Sequence, residues 1–262
     1  MSAEPLRDGQ NVSLVHDRLR EAILRGDIPP GQSTSQVVLA KQLGVSRTPL
    51  REALRMLQGE GLVLAEPNRR IRIAEFSIAD VEQLYAMRVA LEAVAIAATV
   101  PALTPEDFGE LEGLMAQMDH YMRASDQERM AGPHAEFHAR FVAGGGPRMA
   151  TAIAQLFDHG ERYRRAYGAV YPGRWPQRKE EHRAMFDAAA AGDVAATVEH
   201  LVAHYAHTAT FVISKLDASH EPKLLRTAVS AVAPGAIDAT YTAAERTMRR
   251  APRRAAARAR AR

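Results

Sequence analysis

Leu43-Gly44-Val45-Ser46-Arg47-Thr48-Pro49-Leu50-Arg51-Glu52-Ala53-Leu54 is the stretch whose reading decides the fold of the N-terminal part. Ser46 is a good helix N-cap, and Pro49 falls in the first turn, where a missing N–H costs little. Leu50, Ala53, Leu54 and Leu57 form the buried stripe of that helix, and Gly61 stops it. Upstream, Ser35 can cap a short helix carrying Val38, Leu39 and Leu43, and Gly44 stands where a left-handed residue ends it. Before that, Val12, Val15, Leu19, Ile23 and Leu24 recur at helical spacing up to Gly26, and Pro29-Pro30-Gly31 is a turn. Downstream, Leu62-Val63-Leu64-Ala65 and Ile71-Arg72-Ile73 flank the polar turn Pro67-Asn68-Arg69-Arg70, which predicts a hairpin.

Two helices joined by a tight glycine-containing turn are the helix-turn-helix geometry, whose second helix enters the DNA major groove by its N-terminal residues. Those residues are Arg47, Thr48 and Arg51. Arg47 and Arg51 share one face, and a guanidinium fork pairs with O6 and N7 of guanine for roughly 1–3 kcal/mol of discrimination. Ser46, Thr48 and the free N–H groups of the first turn can hold phosphate. Arg55, one turn on, suits a backbone contact or solvent. Asn68, Arg69, Arg70 and Arg72 at the hairpin can reach the neighbouring backbone or the minor groove. The competing reading is a surface helix with solvated arginines; the ordered context of helix, capped turn and hairpin favours DNA.

The remainder of the 262-residue chain reads differently. From about Ser77 strand signals vanish, and amphipathic helices are predicted near 78–100, 105–124, 127–143, 147–168, 175–191 and 193–217, with breaks at Pro and Gly. Six helices with short connections predict an antiparallel bundle. The expected division is 8–76 for the DNA-reading part, 77–217 for an all-α domain, and 218–262 for an Ala/Arg-rich tail with almost nothing to bury, expected to be disordered. The formal charge of +3 is misleading, because eight arginines and no acid lie in 246–262, leaving −5 over residues 1–245. There are no cysteines, which excludes disulfides and thiolate chemistry. The first residues carry acids and no apolar core, and the most apolar stretch, Val89 to Val100, is too short to span a bilayer, so the expectation is a cytoplasmic protein with no membrane partner.

Ten histidines are present. His134 and His138 are four apart on one predicted helix, His182 lies on another, and His204 lies on the last, with His200 and His207 a turn either side. Imidazoles on facing helices of a bundle can converge on one divalent metal, although helical histidines are also common as surface or satisfied core residues.

Arg20-Glu21-Ala22-Ile23-Leu24-Arg25-Gly26, Pro30-Gly31, Leu39-Ala40, Leu43 through Leu54 and Glu60-Gly61-Leu62-Val63 resemble the winged-helix domain of the GntR family. The resemblance implies a mainly α protein, an N-terminal winged helix-turn-helix followed by an antiparallel all-α helical bundle, and operator contacts from Arg47, Thr48, Arg51 and the wing tip. Val37 stands where relatives often carry arginine, and Asn68 where glycine is usual. Residues 78–215 look like the FCD ligand-binding domain of the FadR branch, on Arg88-Val89-Ala90-Leu91-Glu92, Phe137-His138, Glu181 through Ala188, Gly192-Asp193 and His204. In metal-binding members an acid four residues before the first histidine joins three histidines, which match His138, His182 and His204. Here His134 takes the acid's place, or does not ligate and leaves that position to water. A four-histidine set should prefer zinc, nickel or copper to manganese or magnesium. The resemblance further implies a small organic acid beside the metal, with Arg88 at the effector-contacting position; Arg164, Tyr163 and Tyr167 could line the same cavity.

Two other classes were weighed against a regulator. His134-Ala135-Glu136-Phe137-His138 superficially resembles a zinc-hydrolase box, but that chemistry needs Glu directly after the first His, and Glu136 is rotated about 200° from His134 at 3.6 residues per turn. No catalysis is expected. A sequence-blind architectural DNA binder using the arginine tail is the other. The expectation is an effector-controlled homodimeric DNA binder on a pseudo-palindromic operator, and the family resemblance implies repression relieved by ligand.

Overall fold

The computed structural model describes residues 11–167 and 172–241. The chain divides into two units, with the boundary between Ser77 and Ile78.

The first unit contains α1 (Asn11–Arg25), β1 (Ser33–Ser35), α2 (Gln36–Leu43), α3 (Arg47–Gly59), β2 (Val63–Glu66) and β3 (Arg70–Ile73). The punctuation read from the sequence is present. The Ser35 side chain accepts from the Val38 N–H, and Gly44, at φ 66°, ends α2 in the left-handed region. Ser46 is the N-cap of α3 by backbone, but its side chain makes no capping hydrogen bond. The hydroxyl that the sequence assigned to the cap is thus left to solvent or ligand. Val15, Leu19, Leu50, Leu54, Leu57 and Ile71 are almost completely buried in one core, each contributing roughly 1.5–3 kcal/mol by leaving water.

Two features of this unit were not foreseen. Ser33-Thr34-Ser35 is a strand, antiparallel to β3 with Thr34 opposite Ile71, so the sheet order is β1-β3-β2. Short, polar and unalternating, it gives no period-2 signal. In the three-residue β2–β3 connection, where Glu66 pairs with Arg70, both Asn68 (φ 59°) and Arg69 (φ 55°) have positive φ, as the central residues of a mirror-type turn do, and the Arg70 N–H donates to the Pro67 carbonyl at 3.3 Å. Asn tolerates this readily; an arginine there is a local strain that glycine would not carry.

Glu60 fastens α3 to α1. Its carboxylate accepts from Arg20 Nε at 2.8 Å and pairs with His16 Nε2, while His16 Nδ1 meets Asp17 at 2.8 Å. Burial pushes the His16 imidazole down, but its hydrogen bonds to Asp17 and Glu60, and their charges, outweigh this and raise it above its ordinary value.

The second unit is a helical bundle: α4 (Ile78–Thr99), α5 (Pro105–Arg123), α6 (Gln127–Val142), α7 (Pro147–Ala166), α8 (Trp175–Ala190), α9 (Val194–Leu216) and α10 (Lys223–Val232). Thr104 and Asp107 form a capping box at α5, and Asp126 and Asp193 cap α6 and α9. Helix α4 packs against α6, α7, α9 and α10. With the turn that follows it, it is long and apolar enough by composition to cross a membrane, yet half of that apolar window is buried in the bundle. A Cβ at Gly144 would lie 2.9 Å from Thr99 Oγ1 and 3.0 Å from the Ala98 carbonyl. Only glycine lets the chain leaving α6 close onto the end of α4, where Gly144 N–H donates to Thr99 Oγ1 at 2.9 Å.

The expectation of a disordered tail from 218 is corrected over 223–241. Helix α10 and the 3-10 turn Pro234–Thr240 pack on α4 and α9, with Leu225 and Val229 completely buried. Glu82 of α4 accepts from the Leu224 and Leu225 N–H groups at 2.7 and 3.2 Å and pairs with His220 at 2.7 Å, so it caps α10 from across the bundle. Composition hid this, because a Leu225/Val229 pair four apart suffices once a groove exists to receive it. The arginine-rich 246–262 lies outside the described residues.

With its raised value, His16 stabilises the first unit below about pH 6.5, its ordinary value, and the contribution is lost as pH rises through the higher folded one. Glu60→Gln should therefore lower the unfolding midpoint of this unit more at pH 6 than at pH 8, by roughly 1–3 kcal/mol at the lower pH. Equal loss at both pH values, read by calorimetry on the full chain, would contradict the pairing.

Candidate functional site

Helix α3 presents Arg47, Thr48, Arg51 and Arg55 to solvent, with Ser46 exposed just before them, while Leu50, Ala53, Leu54 and Leu57 face the core. Arg47 and Arg51 have no ion pair among the described residues; Arg55 reaches Glu52 at 3.7 Å. At the hairpin the arginines divide. Arg70 donates to Ser33 Oγ at 3.2 Å and to the Ser33 carbonyl at 3.4 Å, and Arg72 is gripped by Glu66 at 2.6 Å and Glu75 at 3.1 Å. Both brace the sheet. Asn68 and Arg69 lie at the exposed tip, and Arg70 beside them is also exposed. Val37 is half-exposed on α2.

The second constellation is buried. His134 and His138 on α6, His182 on α8 and His204 on α9 are each at most 5% exposed. One ring nitrogen from each falls within 4.8 Å of all the others. Ring centroids are 4.7 Å apart for His134–His138, 4.8 Å for His182–His204 and 5.3 Å for His138–His204. Pro133, inside α6 immediately before His134, removes one backbone N–H from that helix.

Hydrogen bonding leaves nitrogen atoms over. His204 Nδ1 is 2.7 Å from Glu181 Oε2, and His138 Nδ1 is 3.3 Å from the Tyr205 hydroxyl, which itself donates to Glu92 Oε2 at 2.5 Å. His134 Nδ1, His138 Nε2 and both nitrogens of His182 are buried without a hydrogen-bond partner. Such orphans cost roughly 1–3 kcal/mol each in an ordinary core, so four at one point need an explanation. Burial, reinforced by neighbouring histidines and arginines, holds His134, His138 and His182 well below the ordinary imidazole value and lowers His204 to about 4. All four are neutral near pH 7, the form that offers a lone pair to a metal ion.

Three arginines surround the cluster, each matched by a glutamate three or four residues away. Arg88 Nε donates to Glu92 at 2.8 Å, Arg164 forks onto Glu161 at 2.6 and 2.5 Å, and Arg178 Nη1 donates to Glu181 at 2.8 Å. Arg88 lies over the Tyr205 ring at 3.9 Å, in space that Gly160 leaves, since a Cβ there would be 3.0 Å from Arg88 Nη1. Burial pushes Glu181 up, but hydrogen bonds from His204 and His207 and the Arg178 charge outweigh it, so it is held far below the usual carboxylate range. Of the expected effector residues, Arg88 and Arg164 flank the histidines. Tyr163 instead donates to Asp80 at 2.6 Å and stacks on Tyr167; among the described residues the rings packed on the four histidines are those of Phe137, Phe157, Trp175 and Tyr205. Glu136, the one acid between the paired histidines, spends its carboxylate on Arg140 at 3.0 Å. His200 lies outside the cluster and His207 supports Glu181 at 2.8 Å. Sequence reading gave no role to Tyr205, Trp175, Glu161 or Arg178; only the Arg88/Glu92 and Arg178/Glu181 spacings hint at the matched charges.

Among the described residues, cavities reach the cluster at His138 and at His182. One of ≈ 270 Å³ reaches His138 and Glu92 and is otherwise walled mainly by apolar residues of α6 and α7, including Val142, Ile153 and Phe157. The other, ≈ 160 Å³, reaches His182 between Trp175, Asp119 and Met118.

Residues 12–73 match the model for bacterial regulatory proteins of the gntR family, and residues 83–207 match the FCD domain. The chain is 31% identical over 183 residues to an HTH-type transcriptional regulator in an unstable DNA locus of Streptomyces ambofaciens, covering 69% of this chain and 75% of that protein. It is 24% identical over 193 residues to the HTH-type transcriptional regulator YdhC of Bacillus subtilis (strain 168), covering 73% and 86%. The solved structure of McbR/YncC from E. coli superposes with a TM-score of 0.70 at 23% identity, over 79% of this chain and 99% of that one.

Because the four histidines are held below their ordinary value, the unfolded chain takes up protons that the folded one refuses. Their contribution is complete above about pH 6.5 and is lost as pH falls below it, for His204 down to about pH 4. In chelator-treated protein the bundle should lose stability steeply between pH 7 and 5. His182→Leu should flatten that slope and stabilise the metal-free bundle by roughly 1–3 kcal/mol at pH 7, by removing two orphaned nitrogens. A destabilised variant with an unchanged slope would count against a strained polar cluster.

Proposed function

The chain belongs to the GntR family of bacterial transcriptional regulators and carries an FCD domain, and on that premise we propose that it is a repressor released from DNA by a small organic acid bound beside a divalent metal. It is a regulator, not an enzyme. The observation that carries the metal reading is four buried, neutral imidazoles that each bring one nitrogen within 4.8 Å of the others, with His138 Nε2 and both nitrogens of His182 left without a hydrogen-bond partner. His138, His182, His204 and His134 would hold the ion. Nitrogen-only ligation suits zinc, with nickel the next choice, better than magnesium or manganese.

Electrostatics support the effector class. Arg88, Arg164 and Arg178 are already balanced by Glu92, Glu161 and Glu181, so a dication on neutral imidazoles leaves two positive charges uncompensated in a buried site. A carboxylate entering the cavity at His138 offsets them. When bound, the ion supplies a Lewis-acid anchor for that carboxylate. The protein's part is to hold the histidines in one tautomer, as Glu181 does for His204.

The same reading makes the protein a homodimer on a pseudo-palindromic operator. Met87 and Val94 of α4 are more than half exposed, and the small exposed Ala90 and Ala97 continue their stripe at spacings of three and four, a self-complementary face of the kind helices pair through. Specificity rests on Arg47 and Arg51, with Ser46, Thr48, Arg55, Asn68 and Arg69 on the phosphates or minor groove. Arg70 acts indirectly, by bracing the wing.

Two measurements check this. Arg51→Ala should reduce the preference for operator over random DNA by 1–3 kcal/mol per half-site while circular dichroism is unchanged; an unaltered preference in competition binding would overturn the assignment. Metal analysis should find about one zinc per wild-type chain and much less in His182→Ala; equal content in the two would remove the metal from the mechanism.

A further inference from the structure

Two histidines of the cluster are backed by the same arrangement, complete in one case and open in the other. His204 Nδ1 is hydrogen-bonded to Glu181 at 2.7 Å, and Glu181 is held by Arg178 three residues before it on α8. His134 Nδ1 faces Glu161 Oε1 at 3.6 Å, and Glu161 is held by Arg164 three residues after it on α7. The second gap is too long for a hydrogen bond, and His134 Nδ1 is one of the orphaned atoms. Both His134 and Glu161 are buried, with side chains 6% and 11% exposed. A small rotation of the Glu161 carboxylate about its grip on Arg164 would close the second arrangement as the first is closed.

We propose that Glu161 is the outer carboxylate of the metal site, closing onto His134 Nδ1 when a divalent ion takes Nε2. The inference rests on the metal reading above and adds to it a residue from α7, a helix that contributes none of the four histidines. An ion drawing electron density from Nε2 makes the Nδ1–H a stronger donor, and a carboxylate accepting from it returns negative charge to a ligand set that has none of its own. Glu161 thereby fixes the His134 tautomer and makes His134 a ligand in its own right. Because Arg164 grips the same carboxylate, loading of the metal is felt along α7 at a cation flanking the cluster.

The test uses the full chain stripped with a chelator, with zinc affinity read by competition and the visible spectrum of the cobalt(II) form as an independent signature. Glu161→Gln should weaken zinc binding about 10- to 100-fold and shift the cobalt bands, and Glu161→Asp should restore most of both. In a His134→Ala background the Gln substitution should add nothing beyond twofold, since the atom it serves is gone. Arg164→Gln combined with Glu161→Gln should not recover affinity; recovery would mean that the loss came from an unbalanced arginine charge, and would overturn the proposal. So would wild-type affinity in Glu161→Gln, or the same loss with and without His134. If the wild-type chain binds neither zinc nor cobalt, the metal reading falls and this inference with it; if it binds and Glu161→Gln is indifferent, only this inference falls.

Discussion

Charge neutrality in a dry interior is the constraint on which the helical unit depends. Arg88, Arg164 and Arg178 flank the histidine cluster, and an unbalanced guanidinium in such a place costs several kcal/mol. Each is matched within its own helix, by Glu92, Glu161 and Glu181, so neutrality does not depend on how the helices are docked. The bundle can therefore close around four polar rings. What local pairing does not satisfy is a group of imidazole nitrogens on His134, His138 and His182, together with Arg88 Nη2 and Arg178 Nη2, so unpaired hydrogen-bonding capacity gathers around the cluster. A core that keeps polar atoms unsatisfied where leucine would be more stable is accepting a loss of stability in return for a site.

In the first unit the same logic runs through the sheet. Arg70 and Arg72 stay exposed but bond to Ser33, Glu66 and Glu75, so part of the hairpin's positive charge is already balanced on the sheet. Among the described residues, Arg47 and Arg51 on α3 and Arg69 at the hairpin tip have no such partner. Burial of Leu50 and Leu54 fixes the rotation of α3 about its axis, and the Glu60 contacts with His16 and Arg20 fix its far end. The reading surface is thus aimed by residues that need never touch DNA.

Much of this was legible in the sequence because it is local. Ser35, Gly44, Gly61 and the leucine stripe of α3 act within one or two turns, and the spacing of His134 and His138 places both on one face before any tertiary structure is known. The pairing of those two with His182 and His204 is not local, and it was readable only through the predicted bundle and the family resemblance. What stayed hidden depended on a distant partner. Ser33-Thr34-Ser35 becomes a strand because Ile71 lies opposite Thr34; Arg70 finds Ser33 because of that strand; Glu161 comes to 3.6 Å from His134 because α7 lies against α6; and the first turn of α10 is capped by Glu82, far earlier in the chain. The partner of the Tyr163 hydroxyl, Asp80, was equally hidden, since it lies far earlier in the chain.

The docking of α10 bears on where the second unit ends. The match to the FCD domain stops at residue 207, yet α9 runs on to Leu216 and the chain returns to seat Leu225 and Val229 on the bundle. A fragment trimmed to the family boundary would sever α9 mid-helix, uncover an apolar trough beside α4, and leave Glu82 buried with no backbone amides to accept from. Insolubility of that fragment would then be an artefact of the cut and would say nothing about whether the second unit folds alone. Among the described residues, the packed second unit extends through Tyr241.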